Sequence, residues 1–277
     1  MKFISLHPAE NTYRWENADY LVNFANQNNI RVHGHTLLWP SNNPAWIRNY
    51  QGDKEAWDNL LKSHIQTVVK HFKGKVASWD VVNEAYESNG SLKKNIWLQK
   101  LGKEYIEKSF QYAHEADPNV LLFYNDYGQE YSVAKREAIL KMAKNLINKG
   151  IHIDGIGIQM HTALSIDNQK LINVINNMAK SGLKIHISEL EVSLNSMSKA
   201  KLLDESLAKK QAEKYLVIFS SYSKIPRSQQ YGITTWNVSD KDAFSNSANS
   251  SRSPLLFDKN YNPKPAYKTL LKSLSNR

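Results

Sequence analysis

Cysteine is absent from the 277 residues of the chain. A disulfide framework, a thiolate metal site and redox chemistry by thiols are therefore excluded. Long apolar runs are lacking too, since no segment approaches the roughly 20 residues that cross a bilayer, and no basic, apolar and small-residue leader follows Met1. We therefore expect a soluble chain without a membrane partner, and we expect secretion if a leader precedes this sequence.

Acidic residues are fewer than basic ones. The sequence contains 26 Asp and Glu residues and 36 Lys and Arg residues, which gives a formal net charge of +10. A basic chain can bind nucleic acid. Its lysines, however, are scattered among glutamates in segments such as "KKNIWLQKLGKE" and "LAKKQAEKY", and they form no single basic arm. The pattern predicts a solvated basic surface and no nucleic-acid partner, and an acidic polysaccharide is a hypothesis for the ligand.

Short β-rich runs alternate with helical periods along the chain, which we expect to form one domain over residues 1–277. Three of the predicted helices end at a glycine, Gly74, Gly150 and Gly182, as is usual where a helix stops in the left-handed conformation. This alternation predicts a parallel sheet covered by helices. The six predicted strands are "IRVHGHTLLW", "VASWDVVNE", "VLLFYNDYG", "IDGIGIQMH", "LKIHISELEV" and "YGITTWNVSD".

Polar side chains at the strand ends favour a closed barrel over a doubly wound sheet. In a barrel the carboxyl ends of all strands meet at one mouth, whereas a doubly wound sheet usually carries a glycine-rich phosphate loop, and no G-x-G-x-x-G follows any strand here. We therefore predict a TIM (β/α)8-type barrel. The residues at the predicted mouth are His35, Trp39, Asn83, Glu84, Asn125, Asp126, Gln159, His161, Glu189, Trp236 and Asp240.

Two carboxylates at such a mouth are the groups that glycoside hydrolysis needs. Glu84 and Glu189 end two different predicted strands. In a retaining reaction one carboxyl protonates the leaving oxygen and the other attacks the anomeric carbon, with the two about 5 to 5.5 Å apart. The pattern predicts that these two glutamates share a sugar-binding cleft.

The motifs resemble those of the glycoside hydrolase family 10 endo-1,4-beta-xylanases. "GHTLLW", "WDVVNE", "YNDY", "DGIGIQMH", "ISELEVS", "TTWNVSD" and "PLLFDKNYNPKPAY" follow in the family's order along nearly the whole chain. The resemblance implies a retaining xylanase without a metal or cofactor, with Glu84 as acid/base, Glu189 as nucleophile and His161 orienting Glu189. It also implies xylan or xylo-oligosaccharides as substrate, bound by Lys2, His35, Trp39, Asn83, Gln159, Trp236 and Phe244.

Several positions depart from the family pattern. Pro40 stands where the family has histidine after the tryptophan of "HTLLW", and Asn237, Ala243 and Phe244 replace a glycine, a serine and a second tryptophan. These changes touch sugar binding more than the carboxylate pair. We therefore expect weakened or altered specificity.

The family places about two strands and a helix before the position where this sequence starts. Six strands are therefore predicted where a (β/α)8 barrel needs eight, with "KFISL" as the stub of a further strand. We expect a truncated barrel start, with dimerisation as the alternative way to cover the open edge.

Two other functions remain open. His33 and His35, with His161, His186 and Asp240, could form the metal cage of an amidohydrolase-type barrel. The altered sugar subsites and the missing barrel start instead suggest a non-catalytic or weakly active xylan-binding relic, which would bind without releasing reducing sugar.

Overall fold

The structure is a computed structural model, and it describes residues 1–194, 204–243 and 253–275. Within these ranges the strands are β1 (His33–Leu38), β2 (Ser78–Asn83), β3 (Leu121–Asp126), β4 (Gly155–Ile158), β5 (His161–Ala163), β6 (Lys184–Ser193) and β7 (Gln230–Thr235). The helices are α1 (Phe3–Leu6), α2 (Glu16–Gln27), α3 (Lys54–His71), α4 (Ile96–Leu101), α5 (Tyr105–Ala116), α6 (Val133–Asn148), α7 (Asn168–Ala179), α8 (Glu205–Tyr222) and α9 (Pro265–Ser275).

The chain divides into two units. The first contains Met1–Asp126 and Glu137–Gly157, and the second contains Tyr127–Arg136 and Ile158–Arg277. Each unit has its own parallel strands and its own packed helices.

Parallel strands form the centre of the first unit, in the order β1, β2, β3 and β4. Asp80 on β2 lies opposite His35 on β1 and Phe123 on β3. The register therefore makes His35 and Asp80 neighbours. All six residues of β2 are buried, as expected for a strand covered on both faces. Helix α3 begins after Asp53, whose side chain accepts a hydrogen bond from Ala56 N, and it packs against α5.

Strand β6 is the central strand of the second unit. It pairs in parallel with β5 and with β7, and the register places His161 opposite Glu191. Helix α8 packs against α7 and against α9 in this unit, and fully buried Ile187 and Tyr215 belong to its core. The strand pairing therefore decides which glutamates can reach His161.

Each of the six predicted strands overlaps an observed strand, but two expectations are corrected. The run "KFISL" is not a strand, because Phe3–Leu6 forms α1. The run "IDGIGIQMH" is not one strand, because Met160 has a φ of +62° and separates β4 from β5. Gly74, Gly150 and Gly182 have φ values of +73°, +70° and +78°, as predicted for residues that follow a helix.

Candidate active site

Glu84 lies immediately after β2 in a left-handed backbone conformation, with a φ of +59°. This conformation is uncommon for a residue with a side chain, and such residues concentrate at functional sites. Two contacts with β3 hold the turn, since Glu84 N donates to Asn125 O and Ala85 N donates to the Tyr124 hydroxyl. Tyr124 in turn donates to Asp126, so Asp126 supports the turn through another residue.

One carboxylate oxygen of Glu84 contacts both an indole N–H and a lysine ammonium group. The indole nitrogen of Trp39 donates to Oε2 at 3.0 Å, and Lys93 Nζ lies 3.7 Å from the same atom. Lys2 Nζ lies 4.9 Å from the centroid of the Trp39 ring. The first unit therefore brings together three predicted site residues, Lys2, Trp39 and Glu84, and it adds Lys93.

Asn83 and His35 also lie in the first unit, held by side-chain contacts with neighbouring strands. Asn83 is buried, and its side-chain oxygen accepts a hydrogen bond from Asn125. His35 Nδ1 lies 2.8 Å from Asp80 Oδ2, and His33 Nε2 lies 3.0 Å from Asp80 Oδ1. Burial alone raises the pKa of Asp80, but the charges and hydrogen bonds of the two histidines hold it well below its usual range. Asp80 therefore fixes the orientation of both histidine rings.

His161 bridges two carboxylates in the second unit. Its Nε2 lies 3.1 Å from Glu189 Oε2, and its Nδ1 lies 3.0 Å from Glu191 Oε1. Burial by itself lowers the pKa of His161, but the hydrogen bonds and charges of the two glutamates raise it to about 10. His161 is thus an imidazolium ion at neutral pH that donates from both nitrogens. Glu189 is buried beside this cation, with 5% of its surface exposed.

Gln159 and Trp236 lie next to this triad. Glu189 N donates to Gln159 O, and Trp236 N donates to Leu190 O. The Trp236 ring meets the His161 ring edge-on, with 5.8 Å between the ring centroids. The second unit therefore places Gln159, His161, Glu189 and Trp236 together.

The positions that depart from the resemblance have different outcomes. Phe244 lies outside the described residues. Pro40 is buried and its carbonyl accepts a hydrogen bond from Asn43. Ala243 is buried, while Asn237 has a φ of +113°, in the region that favours glycine.

The suggested metal ligands each contact partners other than one another. His33 and His35 contact Asp80, His161 contacts two glutamates, and His186 bonds to Thr234 Oγ1. Asp240 pairs with Lys264 Nζ at 3.0 Å. Across residues 1–194, 204–243 and 253–275, no three His, Asp or Glu side chains are grouped so that they could hold a metal ion.

Comparison with known proteins identifies the family. The model of Glycosyl hydrolase family 10 matches residues 1–273. The chain belongs to this family. Its TIM-barrel fold and its class as a glycoside hydrolase are those predicted from the motifs.

Individual xylanases are similar over nearly the whole chain. Endo-1,4-beta-xylanase B of Thermotoga neapolitana is 40% identical over 272 residues, which cover 96% of this chain and 76% of the relative. Endo-1,4-beta-xylanase A of Thermoanaerobacterium saccharolyticum is 38% identical, but the chain spans only 23% of that longer relative. The crystal structure of xylanase 10B from Thermotoga petrophila RKU-1 in complex with xylobiose has a TM-score of 0.90, 38% identity, and coverage of 99% of this chain and 83% of that one.

The sequence reasoning missed three residues that touch the predicted site. Glu191 could have been found, because residues two apart on a strand share a face and Glu191 is two residues beyond Glu189. Asp80 could have been found by pairing "HGH" with "WDVVNE" in register. Lys93 carries no comparable signal, because a loop brings it to Glu84.

No helix in the described ranges is long and apolar enough to span a membrane.

Proposed function

We propose that the chain is a retaining endo-β-1,4-xylanase in which Glu189 is the nucleophile and Glu84 is the acid/base. The contact between Glu189 and the His161 imidazolium supports this assignment most, because a charged donor 3.1 Å from the carboxylate holds it in one orientation through a charge-assisted hydrogen bond. The similar endo-1,4-beta-xylanases and the xylobiose complex of a relative support xylan or xylo-oligosaccharides as the substrate.

In the first step, an oxygen of Glu189 bonds to the anomeric carbon while the bond from that carbon to the leaving oxygen breaks. Glu84 gives its proton to that oxygen, and the product with the new hydroxyl group leaves. Glu189 loses its negative charge in the resulting ester. Because Glu191 also contacts His161, the imidazolium then still has one carboxylate beside it.

In the second step, Glu84 removes a proton from water and the resulting hydroxide oxygen bonds to the anomeric carbon. The ester bond to Glu189 breaks, and both glutamates return to their starting states. Two inversions at the anomeric carbon give net retention. No metal or cofactor enters either step.

The aromatic and polar neighbours of the carboxylates are proposed to bind the sugar. Trp39 and Trp236 supply flat apolar faces for pyranose rings, and Lys2 adds a charged donor over Trp39. Asn83 is proposed to bond to the sugar 2-hydroxyl, which strengthens in the transition state. His35, Gln159 and Phe244 are proposed as further binding residues.

The experiment is release of reducing sugar from xylan by the purified chain and by the variants Glu84→Gln and Glu189→Gln. We expect at least about a 10³-fold loss of kcat for either variant, because each removes a group that takes part in bond making or breaking. Glu87→Gln is the matched control, since Glu87 is exposed and lies three residues from Glu84.

Circular dichroism spectra must agree among all four proteins for the comparison to stand. Equal activity of the parent and the Glu189→Gln variant would contradict the nucleophile assignment. A folded parent that binds xylan in a pull-down assay but releases no sugar would establish the binding relic instead.

A further inference from the structure

Residues 236–242 form a loop that follows β7 and begins with Trp236. The start of the loop is fixed to β6, because Trp236 N donates to Leu190 O at 3.1 Å. The side chain of Asn237 closes the next turn, since its Nδ2 donates to Asp242 O at 2.9 Å while its backbone has a φ of +113°. The loop therefore has a defined bend directly after Trp236.

Residues 253–264 run beside this loop and contact it at several points, and we call this segment the clamp. Ser239 of the loop forms a parallel bridge with Phe257 of the clamp, and Asp240 N donates to Phe257 O at 3.0 Å. The Ser239 hydroxyl donates to Asp258 O at 2.8 Å. The clamp therefore holds the loop three and four residues after its start.

A buried ion pair joins Lys264 of the clamp to Asp240 of the loop. Lys264 Nζ lies 3.0 Å from Asp240 Oδ2, and each side chain is only 3% exposed. Both charges have a second partner, because Lys264 Nζ donates to Ser253 O and Leu255 N donates to Asp240 Oδ1. Removal of either charge would leave the other one buried without its counter-ion, which is strongly unfavourable. The pair therefore holds the loop and the clamp in one arrangement.

We propose that Asp240 and Lys264 are positioning residues for Trp236, so that the clamp sets the affinity of the site for the sugar. This inference rests on the proposed role of Trp236 in sugar binding. The Trp236 ring can stack on a pyranose only if the loop presents its face correctly, and a displacement of about 1 Å can cost up to about 100-fold. His161 and Glu189 lie on β5 and β6 outside the loop, so a displaced loop should weaken binding more than it slows the chemistry.

The test is the variant Asp240→Asn, which keeps the shape of the side chain and removes its charge. Calorimetry gives the dissociation constant of xylotriose in the Glu84→Gln background, where turnover is slow, and steady-state kinetics with the wild-type acid/base give kcat and KM. We expect the dissociation constant and KM to rise about 10-fold and kcat to change less than about 2-fold. A merely structural role would instead reduce the folded fraction, which lowers kcat and leaves KM unchanged.

Two further variants separate the position of the loop from the stability of the fold. Tyr261→Phe is a milder change in the clamp, because it removes only the hydrogen bond from the exposed Tyr261 hydroxyl to Asp242 Oδ2, and it should raise KM about 2-fold. Tyr222→Phe is the matched control, since it removes a buried hydrogen bond to Ile185 O at the start of β6. It should lower the melting temperature and leave KM unchanged.

A double variant shows whether the effect passes through Trp236. In the Trp236→Ala background, Asp240→Asn should no longer change kcat/KM, because the ring that it positions is gone. An equal loss of kcat/KM with and without the Trp236 ring would overturn the proposal.

Three other results would also overturn it. They are a folded Asp240→Asn variant that binds xylotriose as tightly as its parent, an unchanged KM in Tyr261→Phe, and an equal rise of KM in Tyr222→Phe. If Asp240→Asn does not fold, Tyr261→Phe decides the question. A folded Glu84→Gln chain that binds no xylotriose would contradict the proposed function itself, and that result differs from all the others because it appears before any change in the clamp.

Discussion

At the scale of single residues, the chemistry of the candidate site depends on which groups share a proton or a charge. His161 lies between Glu189 and Glu191, so one positive charge serves two negative ones. Burial would favour neutral imidazole, yet the two carboxylates raise the pKa of His161 to about 10. We therefore propose that His161 positions Glu189.

The variant His161→Gln tests this role. Replacing the cation by a neutral amide leaves Glu189 and Glu191 to repel each other, and charged hydrogen bonds contribute about 1.5 to 3 kcal/mol. We therefore expect kcat for xylo-oligosaccharides to fall roughly 10- to 100-fold, with little change in KM. His152→Gln is the control, because the His152 side chain is 41% exposed and pairs with Asp154.

The pH dependence of the melting temperature distinguishes the effect of the positive charge of His161 from the effect of the shape of its side chain. Because the folded-state pKa of His161 lies above the unfolded value of about 6.5, its stabilising charge is complete below that value and is lost as pH rises towards about 10. The melting-temperature gap between the parent and His161→Gln should shrink between pH 6.5 and 10. A gap that stays constant would mean that the imidazolium does not stabilise the fold.

At the scale of elements, the amino-terminal segment is held to α3 by stacked rings. The Phe3 ring lies 3.5 Å from the His64 ring, nearly parallel to it, and His7 Nδ1 lies 3.2 Å from His64 Nδ1. His64 Nε2 faces Leu37 O and His7 Nε2 faces Glu10 O, so each ring donates to a carbonyl. At most one proton fits between the two Nδ1 atoms.

Acid should therefore release this segment. Burial, followed by the neighbouring His7, lowers the pKa of His64 to about 3, and burial also lowers the pKa of His7. Stability is complete above the unfolded value of about 6.5 and is lost as pH falls, because the unfolded chain then binds more protons. We expect the melting temperature to fall between pH 6.5 and 4, and to fall less in His64→Gln.

The control for this prediction is His71→Gln, since His71 lies on the same helix but pairs with Asp19 nearer the surface. An acid slope that is identical in the parent and in His64→Gln would show that the buried pair does not cause the sensitivity.

The observed helices and strands also show which elements could be predicted from the sequence alone. The strands were predictable because β-branched and apolar residues cluster in short runs between helical periods. Helix α1 was not predictable from the sequence, because four residues are too few to show a helical period and the helix depends on the packing of Phe3 against His64. Strand β5 was not predictable as a separate strand, because only the positive φ of Met160 marks the break between it and β4. Of the site neighbours, Glu191 follows from strand periodicity, whereas Lys93 depends on the path of a loop.

At the scale of the whole molecule, the net charge of +10 sets how the chain meets charged substrates. Xylan that carries uronic acid groups should be attracted over long distances, and salt should screen that attraction. We expect KM for such xylan to rise several-fold between about 0.02 M and 0.5 M NaCl. KM for neutral xylo-oligosaccharides is the internal control and should not change. An equal rise for both substrates would indicate a salt effect on the enzyme itself.

The central claim is that Glu189 forms a covalent bond with the sugar, and trapping of the intermediate tests it most directly. A 2-fluoro xylobioside with a good leaving group should inactivate the chain. The fluorine slows both the formation and the hydrolysis of the ester, whereas the good leaving group speeds its formation alone. The ester therefore accumulates. Mass spectrometry of the digested protein should then find one added 2-fluoro-xylobiosyl group, which contains two sugar units, on the peptide that contains Glu189. Labelling of a different residue, or labelling of the Glu189→Gln variant to the same extent by the same reagent, would contradict the account.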